Sequence, residues 1–476
     1  MKTRTYDIVV IGSGAGGGTV AQELSPLCRR GLRIAVLEKG PKLRNEELGG
    51  DELKMCQALY EHGGAHLTAE KTMTLAYGGS TTVYTGTSLL PSDRVIRRWN
   101  LPDVNLADLS RRAQKFMVQN NVHFLEQDKL NDNNKLFVEG CKRANYNVEQ
   151  FPLNVKGCRG SGLCNLGCPN QAKQGTGRVQ LPEAERNGVE VVTRCEVLRI
   201  GDRTLFTRVN SKEEGELGEP SSWEPGEYRI EAKTIVVCGG AVGSPALLLR
   251  SGLGHHLPRI GHGFTCHPAL IMVAAHDKAI TNFVGHPKSF YVDEFAETER
   301  FVLETCMYFP FVTAKSLTGF GAEHSAFLEV FPRLQMILVL ACDEADNRNK
   351  VTIDRQGKPV IHYRFTSEVR KGLVRGAIAA GKIFFAAGAQ RVHLPVADPP
   401  VIESQDRWRL DRDASSFTFV PGKATVSAAH LQGGCAMGTG PEDSVTDSHG
   451  RVHGLPWLFV ADASLFPNSL NINPYL

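Results

Sequence analysis

The chain has 476 residues, more than a single compact core usually serves, so two consecutive or intertwined domains are expected. It is 42% hydrophobic and 22% charged with a formal net charge of +3, a balance that implies neither nucleic-acid nor membrane-surface binding. No apolar run is long enough to form a transmembrane segment, and a cytoplasmic location is expected. Its 48 glycines fall in short clusters, which favours backbone-lined ligand sites. The 12 cysteines are too scattered for a secreted disulfide framework.

The first element is legible at once. TYDIVVIGSGAGGGTVAQEL begins with an apolar strand, Tyr6 to Ile11, passes into Gly12, Gly14 and Gly17, and continues as a helical pattern through Val20, Leu24 and Leu27. Glycines at this spacing allow a tight turn, backbone approach to a pyrophosphate and close helix–strand packing. The helix N-terminus offers free N–H groups to the phosphates. A second strand, RIAVLEKG, ends at Glu38, 21 residues after Gly17, where an acid holds a ribose hydroxyl. An acid there suits an unphosphorylated ribose, as in FAD or NAD.

Further along, LAYGGSTTVYTGTSLLP (75–91) carries Gly78, Gly79, Ser80 and Thr81. GCRGSGLCNLGCPNQAKQ (157–174) sets Cys158, Cys164 and Cys168 in a glycine-rich loop, spaced Cys-x5-Cys-x3-Cys-Pro. CEVLRI (195–200) reads as a strand, and the acidic, Gly/Pro/Ser-rich stretch 211–227 as a solvated hairpin loop. KTIVVCGGAVGSPALLLRSGL (233–253) gives a buried strand, Ile235 to Cys238, a Gly-Gly turn and a helix with Pro245 near its start. AFLEVF (326–331) looks strand-like, and VTIDRQGKPVIHYRF (351–365) reads as a hairpin with a Gln-Gly turn, so an antiparallel sheet is expected in this region.

The C-terminal stretch is the most specific. His430 precedes Gly433-Gly434-Cys435-x-Met437-Gly438; Arg451-Val452-His453-Gly454, Val460-Ala461-Asp462-Ala463-Ser464 and Asn473-Pro474 follow. With the pieces above, it resembles the glucose–methanol–choline (GMC) family of FAD-dependent alcohol oxidoreductases. The resemblance implies an α/β fold in which a Rossmann-like FAD-binding domain (1–90, 155–265 and 425–476) is interleaved with a substrate domain built on an antiparallel sheet (91–154 and 266–424). It implies FAD, a small-molecule alcohol substrate, His430 as the base that removes the hydroxyl proton, and Asn473 as its partner. It also assigns Gly12, Gly14, Gly17, Glu38, Gly79, Ser80, Val197 and Asp462 to FAD binding. Tyr77, not histidine, precedes the Gly-Gly-Ser segment, so the FAD is expected to be non-covalent. His255, His256, His262, His267, His449 and His453 are assigned to surface or core. A helix is expected to open at Asn473-Pro474, although the sequence stops at Leu476.

The three cysteines leave two readings open. They could be ligands of a [3Fe–4S] cluster, as in the bacterial FAD-dependent glucose dehydrogenase subunits that this segment resembles. They could equally be structural thiols, as in long-chain alcohol oxidases. A cluster would hand electrons to a quinone or a cytochrome subunit; without one, oxygen or a soluble acceptor must meet the flavin. Two rival functions also stand: a redox-silent relative like the hydroxynitrile lyases, and a non-enzymatic electron-transfer subunit.

Overall fold

Strand β1 (Lys2–Ile11) is apolar and buried on both faces from Ile8 onward, the signature of an interior strand in a parallel sheet. A computed structural model describes residues 1–62, 72–74, 76–281, 283–319, 321–395, 401–420 and 423–475; Leu75 of the second glycine cluster and the terminal Leu476 lie outside the described residues. β1 turns into helix α1 (Ala15–Leu24) and then into β2 (Ile34–Leu37). β3 (Glu190–Val192), β4 (Cys195–Gly201), β5 (Thr204–Val209) and β6 (Gly226–Val237) complete a sheet of order β3-β2-β1-β6-β5-β4. A last strand, Leu458–Val460, lies parallel to β6. Ile11 lies beside Leu37 and Val237, and Val237 beside Val460, so the carboxyl ends of these parallel strands share one edge. Such an edge is where an open α/β sheet binds its ligand.

β5 and β6 are antiparallel neighbours, so the stretch between them is the expected hairpin loop. It is not wholly solvated: Trp223 is buried, its indole N–H donates to Glu190 Oε1 at 2.7 Å, and its ring stacks on Tyr6. A flat ring with one donor suits this half-polar niche better than solvent.

The second sheet is antiparallel. Its strands are β7 (Ala269–Ala275), β8 (Phe290–Val292), β9 (Phe301–Thr305), β10 (Leu334–Ala341), β13 (Arg391–His393) and β14 (Val401–Glu403), with Glu149–Gln150 at one edge. The strands β11 (Lys350–Ile353) and β12 (Pro359–His362) form a separate hairpin, and Val351 N donates to Gly261 O at 2.9 Å. Val351 and Ile361 pack on Ala241 and Val242 of helix α2 (Gly240–Arg250).

Helix α3 (Ser367–Ala386) covers one face of the large sheet, together with the helix Asp132–Arg143. Leu270, Met272 and Ala274 of β7 and Ile337, Val339 and Ala341 of β10 point into that layer. A β-carbon on Gly376 of α3 would sit 2.3 Å from Val339 Cγ1, so the helix lies closer than any larger residue permits. The alternate residues, Ile271, Val273, Leu338 and Leu340, form a second apolar face. AFLEVF departs from its expected strand: Ala322–Glu329 is helical, and Phe327 fills the space under that second face. A short apolar run has no periodicity to separate helix from strand, and here burial by the sheet decides.

Candidate functional site

The carboxyl edge of the first sheet forms a cradle. Gly12 turns the chain at φ +99°, and a β-carbon there would lie 2.4 Å from Cys238 O. Gly16, which the fingerprint does not require, is packed closest of all, 1.8 Å from Ala461 O on the same measure. Gly14 and Gly79 face each other, bringing the two glycine clusters together, and Ser80 follows in a 3₁₀ turn, Gly79–Thr82. The Glu38 carboxylate accepts from Ser13 N (3.0 Å), Ser13 Oγ (2.5 Å) and Gly40 N (2.7 Å). Ser13 Oγ accepts in turn from Gly78 N at 3.0 Å, so one buried acid ties β2 to both glycine loops. Burial pushes its carboxyl pKa up, against the pull of these donors.

Asp462 closes the far side. Its Oδ2 accepts from Gly240 N (2.8 Å) and Ser244 Oγ (2.5 Å) at the start of α2, and its Oδ1 from Ser464 N (2.8 Å). Val197, on β4 opposite Thr207, lines the same cavity as Glu38 and Asp462. The cavity measures about 2280 Å³ and continues from this cradle to His430, Asn473 and the apolar face of the second sheet. That exceeds the space one small ligand needs, and it fits a dinucleotide with a substrate beside it. Gly12, Gly14, Glu38, Gly79, Ser80, Val197 and Asp462 all line it; Gly17 does not, and instead packs α1 onto the Gly12 turn.

Three segments distant in sequence build the other end. Thr265 and Gln432 exchange backbone hydrogen bonds, both 2.9 Å, laying the His430 loop beside the start of β7. Gln432 Oε1 accepts from Leu470 N at 3.0 Å and ties in the C-terminal segment. His430 Nε2 is then 3.0 Å from Asn473 Nδ2, and its Nδ1 is 3.1 Å from His267 Nδ1. His267 was expected in surface or core; it is buried, but against His430, and its Nε2 lies 2.6 Å from Ser469 Oγ. No spacing rule links positions 163 apart, so only the fold reveals it. Burial first, then His267 and Lys288, holds the His430 imidazole well below its ordinary pKa, in the neutral form. Lys288 lines the cavity and is paired with the buried Glu304 of β9. Asn473 caps no described helix: the chain turns through Tyr475, whose hydroxyl accepts from Asn120 and Asn154.

Of the two readings of the cysteine loop, the structure favours structural thiols. Among the described residues, no group of three or more His, Cys, Asp or Glu side chains is placed to hold a metal ion, and Cys158, Cys164 and Cys168 are no exception. Burial pushes the Cys164 thiol up to about 12 and raises Cys158, as for structural thiols packed away from water. The loop is organised instead by Lys173, which the sequence reading passed over. Its buried ammonium donates to the carbonyls of Thr82 (2.7 Å), Tyr84 (2.7 Å) and Cys164 (2.6 Å), fastening the loop to the second glycine cluster. Tyr77 lies apart from this network, its hydroxyl donating to Glu185 Oε2 at 2.9 Å.

Comparison with known proteins shows the family. Two family models described as GMC oxidoreductase match residues 56–269 and 345–476. An uncharacterized GMC-type oxidoreductase of Mycobacterium tuberculosis is 30% identical over 99% of this chain and 73% of its own length. A long-chain-alcohol oxidase of Arabidopsis thaliana is 28% identical over 99% of this chain, which spans 65% of that protein. Among solved structures, pyridoxine 4-oxidase from Mesorbium loti superposes with a TM-score of 0.69 at 17% identity, covering 99% of this chain and 96% of that one. A formate oxidase superposes with a TM-score of 0.67 at 12% identity, covering 100% and 96%. With both family models matched along most of its length, the chain belongs to the GMC oxidoreductase family.

Proposed function

We propose that the protein oxidises an apolar alcohol with non-covalent FAD, His430 removing the hydroxyl proton and Asn473 holding the substrate oxygen. The observation that carries this reading is the single cavity joining the glycine cradle to the His430–Asn473 pair. Gly12, Gly14, Glu38, Gly79, Ser80, Val197 and Asp462 would hold the dinucleotide, with Gly17 seating the helix behind it. When bound, FAD supplies the ring that accepts a hydride from the carbinol carbon. The remaining work belongs to the chain. His430 is neutral and buried, so Nε2 keeps a lone pair for the hydroxyl proton. Asn473 donates from its amide and has no proton affinity to compete as the base. The FAD-binding parts are assigned to 1–90, 155–265 and 425–476, and the substrate-binding parts to 91–154 and 266–424.

The substrate class is inferred from the cavity wall. Ile271, Leu338, Leu340, Phe365 and Val426 line it, and Lys288, just before β8, is neutralised there by Glu304. The kinship with a long-chain-alcohol oxidase supports an aliphatic chain over a sugar. Each buried methylene would then contribute up to about 0.8 kcal/mol, or roughly a fourfold gain in kcat/KM.

The test is an anaerobic titration of the purified flavoprotein with a series of primary alcohols. Loss of the flavin's visible absorbance, with kcat/KM rising with chain length, is the expected result. A flavin that stays yellow with every alcohol would point to lyase chemistry or to an electron-transfer subunit. Acid precipitation that leaves flavin on the protein would refute the non-covalent assignment. Turnover measured with oxygen and with a quinone analogue identifies the acceptor class.

A further inference from the structure

We propose that His267 is a positioning residue for this reaction, the middle member of a hydrogen-bonded chain from Asn471 through Ser469 and His267 to His430 that fixes which nitrogen of His430 faces the substrate. The inference rests on the assignment of His430 as the base.

Both ends of the chain give the same polarity. Ser469 Oγ–H donates to Asn471 Oδ1 at 3.2 Å, which leaves an oxygen lone pair for His267 Nε2–H at 2.6 Å. His267 is then unprotonated at Nδ1 and accepts from His430 Nδ1–H at 3.1 Å. At the other end, the Asn473 amide donates to His430 Nε2 at 3.0 Å, which again places the His430 proton on Nδ1. Nε2 is left as the unprotonated nitrogen of His430, its lone pair accepting from the Asn473 amide until a substrate hydroxyl takes that place, with the amide then free to donate to the substrate oxygen. The two rings meet edge to face, 85° apart with centroids at 5.2 Å, so the contact is directional and not a stack.

A buried filler histidine would need polar partners too, but not the imidazole of His430 as one of them. Nor would it need the backbone that His267 has: φ is +47°, a left-handed conformation that β-carbon-bearing residues avoid and that persists where neighbours over-determine it, often at active sites. The neighbours here do so. Cys266 N donates to Asp343 Oδ2 (2.9 Å), Ala341 N to Pro268 O (2.8 Å), and Ala269 N to Ser427 O (2.8 Å). The chain on each side of His267 is pinned, and the ring is aimed by the backbone.

In the reaction the substrate O–H bond breaks and a bond from that proton to His430 Nε2 forms. His430 becomes an imidazolium whose Nδ1–H is already held by His267; no proton needs to pass along the chain. The charged and titratable groups facing the two rings are Lys288 with its partner Glu304, and Asp343, which accepts from Cys266 N and the Tyr363 hydroxyl. None of them accepts from His430 Nδ1, so that role falls to His267.

The test uses the holoenzyme and three variants: His267→Leu, which removes the acceptor; His267→Asn, whose amide oxygen lies where Nδ1 lay and which tolerates positive φ; and His430→Ala. The first should lower kcat by about 10²-fold with KM changed less than about threefold and flavin content intact. His267→Asn should recover at least about tenfold of that loss. Nitrogen-15 shifts of the labelled imidazoles should show His430 as the Nδ1–H tautomer in the wild type and in His267→Asn, and as a mixture in His267→Leu. Equal losses in the Leu and Asn variants, or an unchanged tautomer in His267→Leu, would overturn the proposal. If His430→Ala is inactive while His267→Leu is normal, this inference fails and the base assignment stands. If His430→Ala keeps full activity, the base assignment fails first and the relay with it.

Discussion

Lys288 and Glu304 form an ion pair beneath the substrate cavity, with side chains only 9% and 2% exposed, and Glu304 Oε2 has no hydrogen-bond partner apart from this pairing. Replacing Lys288 by Met keeps the volume and removes the charge, leaving a carboxylate with no counter-ion in the wall of the second sheet. Breaking a pair this buried costs about 3–5 kcal/mol, since the uncompensated charge must be neutralised or hydrated. At about 2.1 cal/mol/K of unfolding entropy per residue, this should lower the melting temperature of the holoenzyme by roughly 3–5 °C. The double replacement Lys288→Met with Glu304→Met removes both charges and their desolvation together, and should melt close to wild type. Scanning calorimetry of the three proteins at pH 7 measures the comparison. A single variant within about 1 °C of wild type, or a double variant as unstable as the single, would refute the reasoning.

Four further outcomes are expected. Gly16→Ala places a β-carbon 1.8 Å from Ala461 O and should strip flavin from the purified protein, read as its visible-to-ultraviolet absorbance ratio. His430→Ala should lower kcat/KM for the alcohol by about 10²–10⁴-fold while flavin binding persists, measured by steady-state kinetics. His393 is buried and its pKa is lowered to about 4, so the unfolded chain binds its proton first as pH falls. Its stability contribution is therefore full above about pH 6.5 and lost toward pH 4, at most about 3 kcal/mol, and His393→Leu should flatten the melting temperature across that window. Serine at Cys158, Cys164 and Cys168 together should leave flavin content and kcat within about twofold of wild type, with no iron or sulfide in either protein; iron bound in wild type alone would establish the cluster reading instead.

The parts of this molecule visible in the sequence are those where one local rule governs. β1 and its glycines follow from an apolar run feeding a turn that only small residues permit. The β11–β12 hairpin follows from alternation around a Gln-Gly turn. His430 and Asn473 were legible as motif members, although 43 residues separate them. Other features depend on which distant segments meet. Phe327 sits on a helix because the second sheet offers its face there. His267 looked like filler until the C-terminal segment brought Ser469 and His430 to its two nitrogens. Lys173 carries no motif, and its role arises from three carbonyls that converge only when the cysteine loop closes. The cysteine spacing suggested ligands, but spacing does not say whether thiols will be buried neutral.

Beyond its pairing with β5, β6 is flanked along Ile235–Val237 on one side by β1 and on the other by Leu458–Val460, more than two hundred residues later. During synthesis, therefore, the Ile235–Val237 end of this inner strand waits with one edge bare until about 220 further residues have been made. At about 5–20 residues per second, that wait lasts roughly 10–45 seconds after β6 has emerged. Throughout it the apolar edge of Ile235–Val237 is open to pairing with a neighbouring nascent chain, the hazard of any uncovered strand. Supply of the cofactor cannot shorten this interval, because Asp462 arrives with the same late strand. Slow translation between β6 and Leu458 should therefore reduce soluble yield more than slow translation before β6.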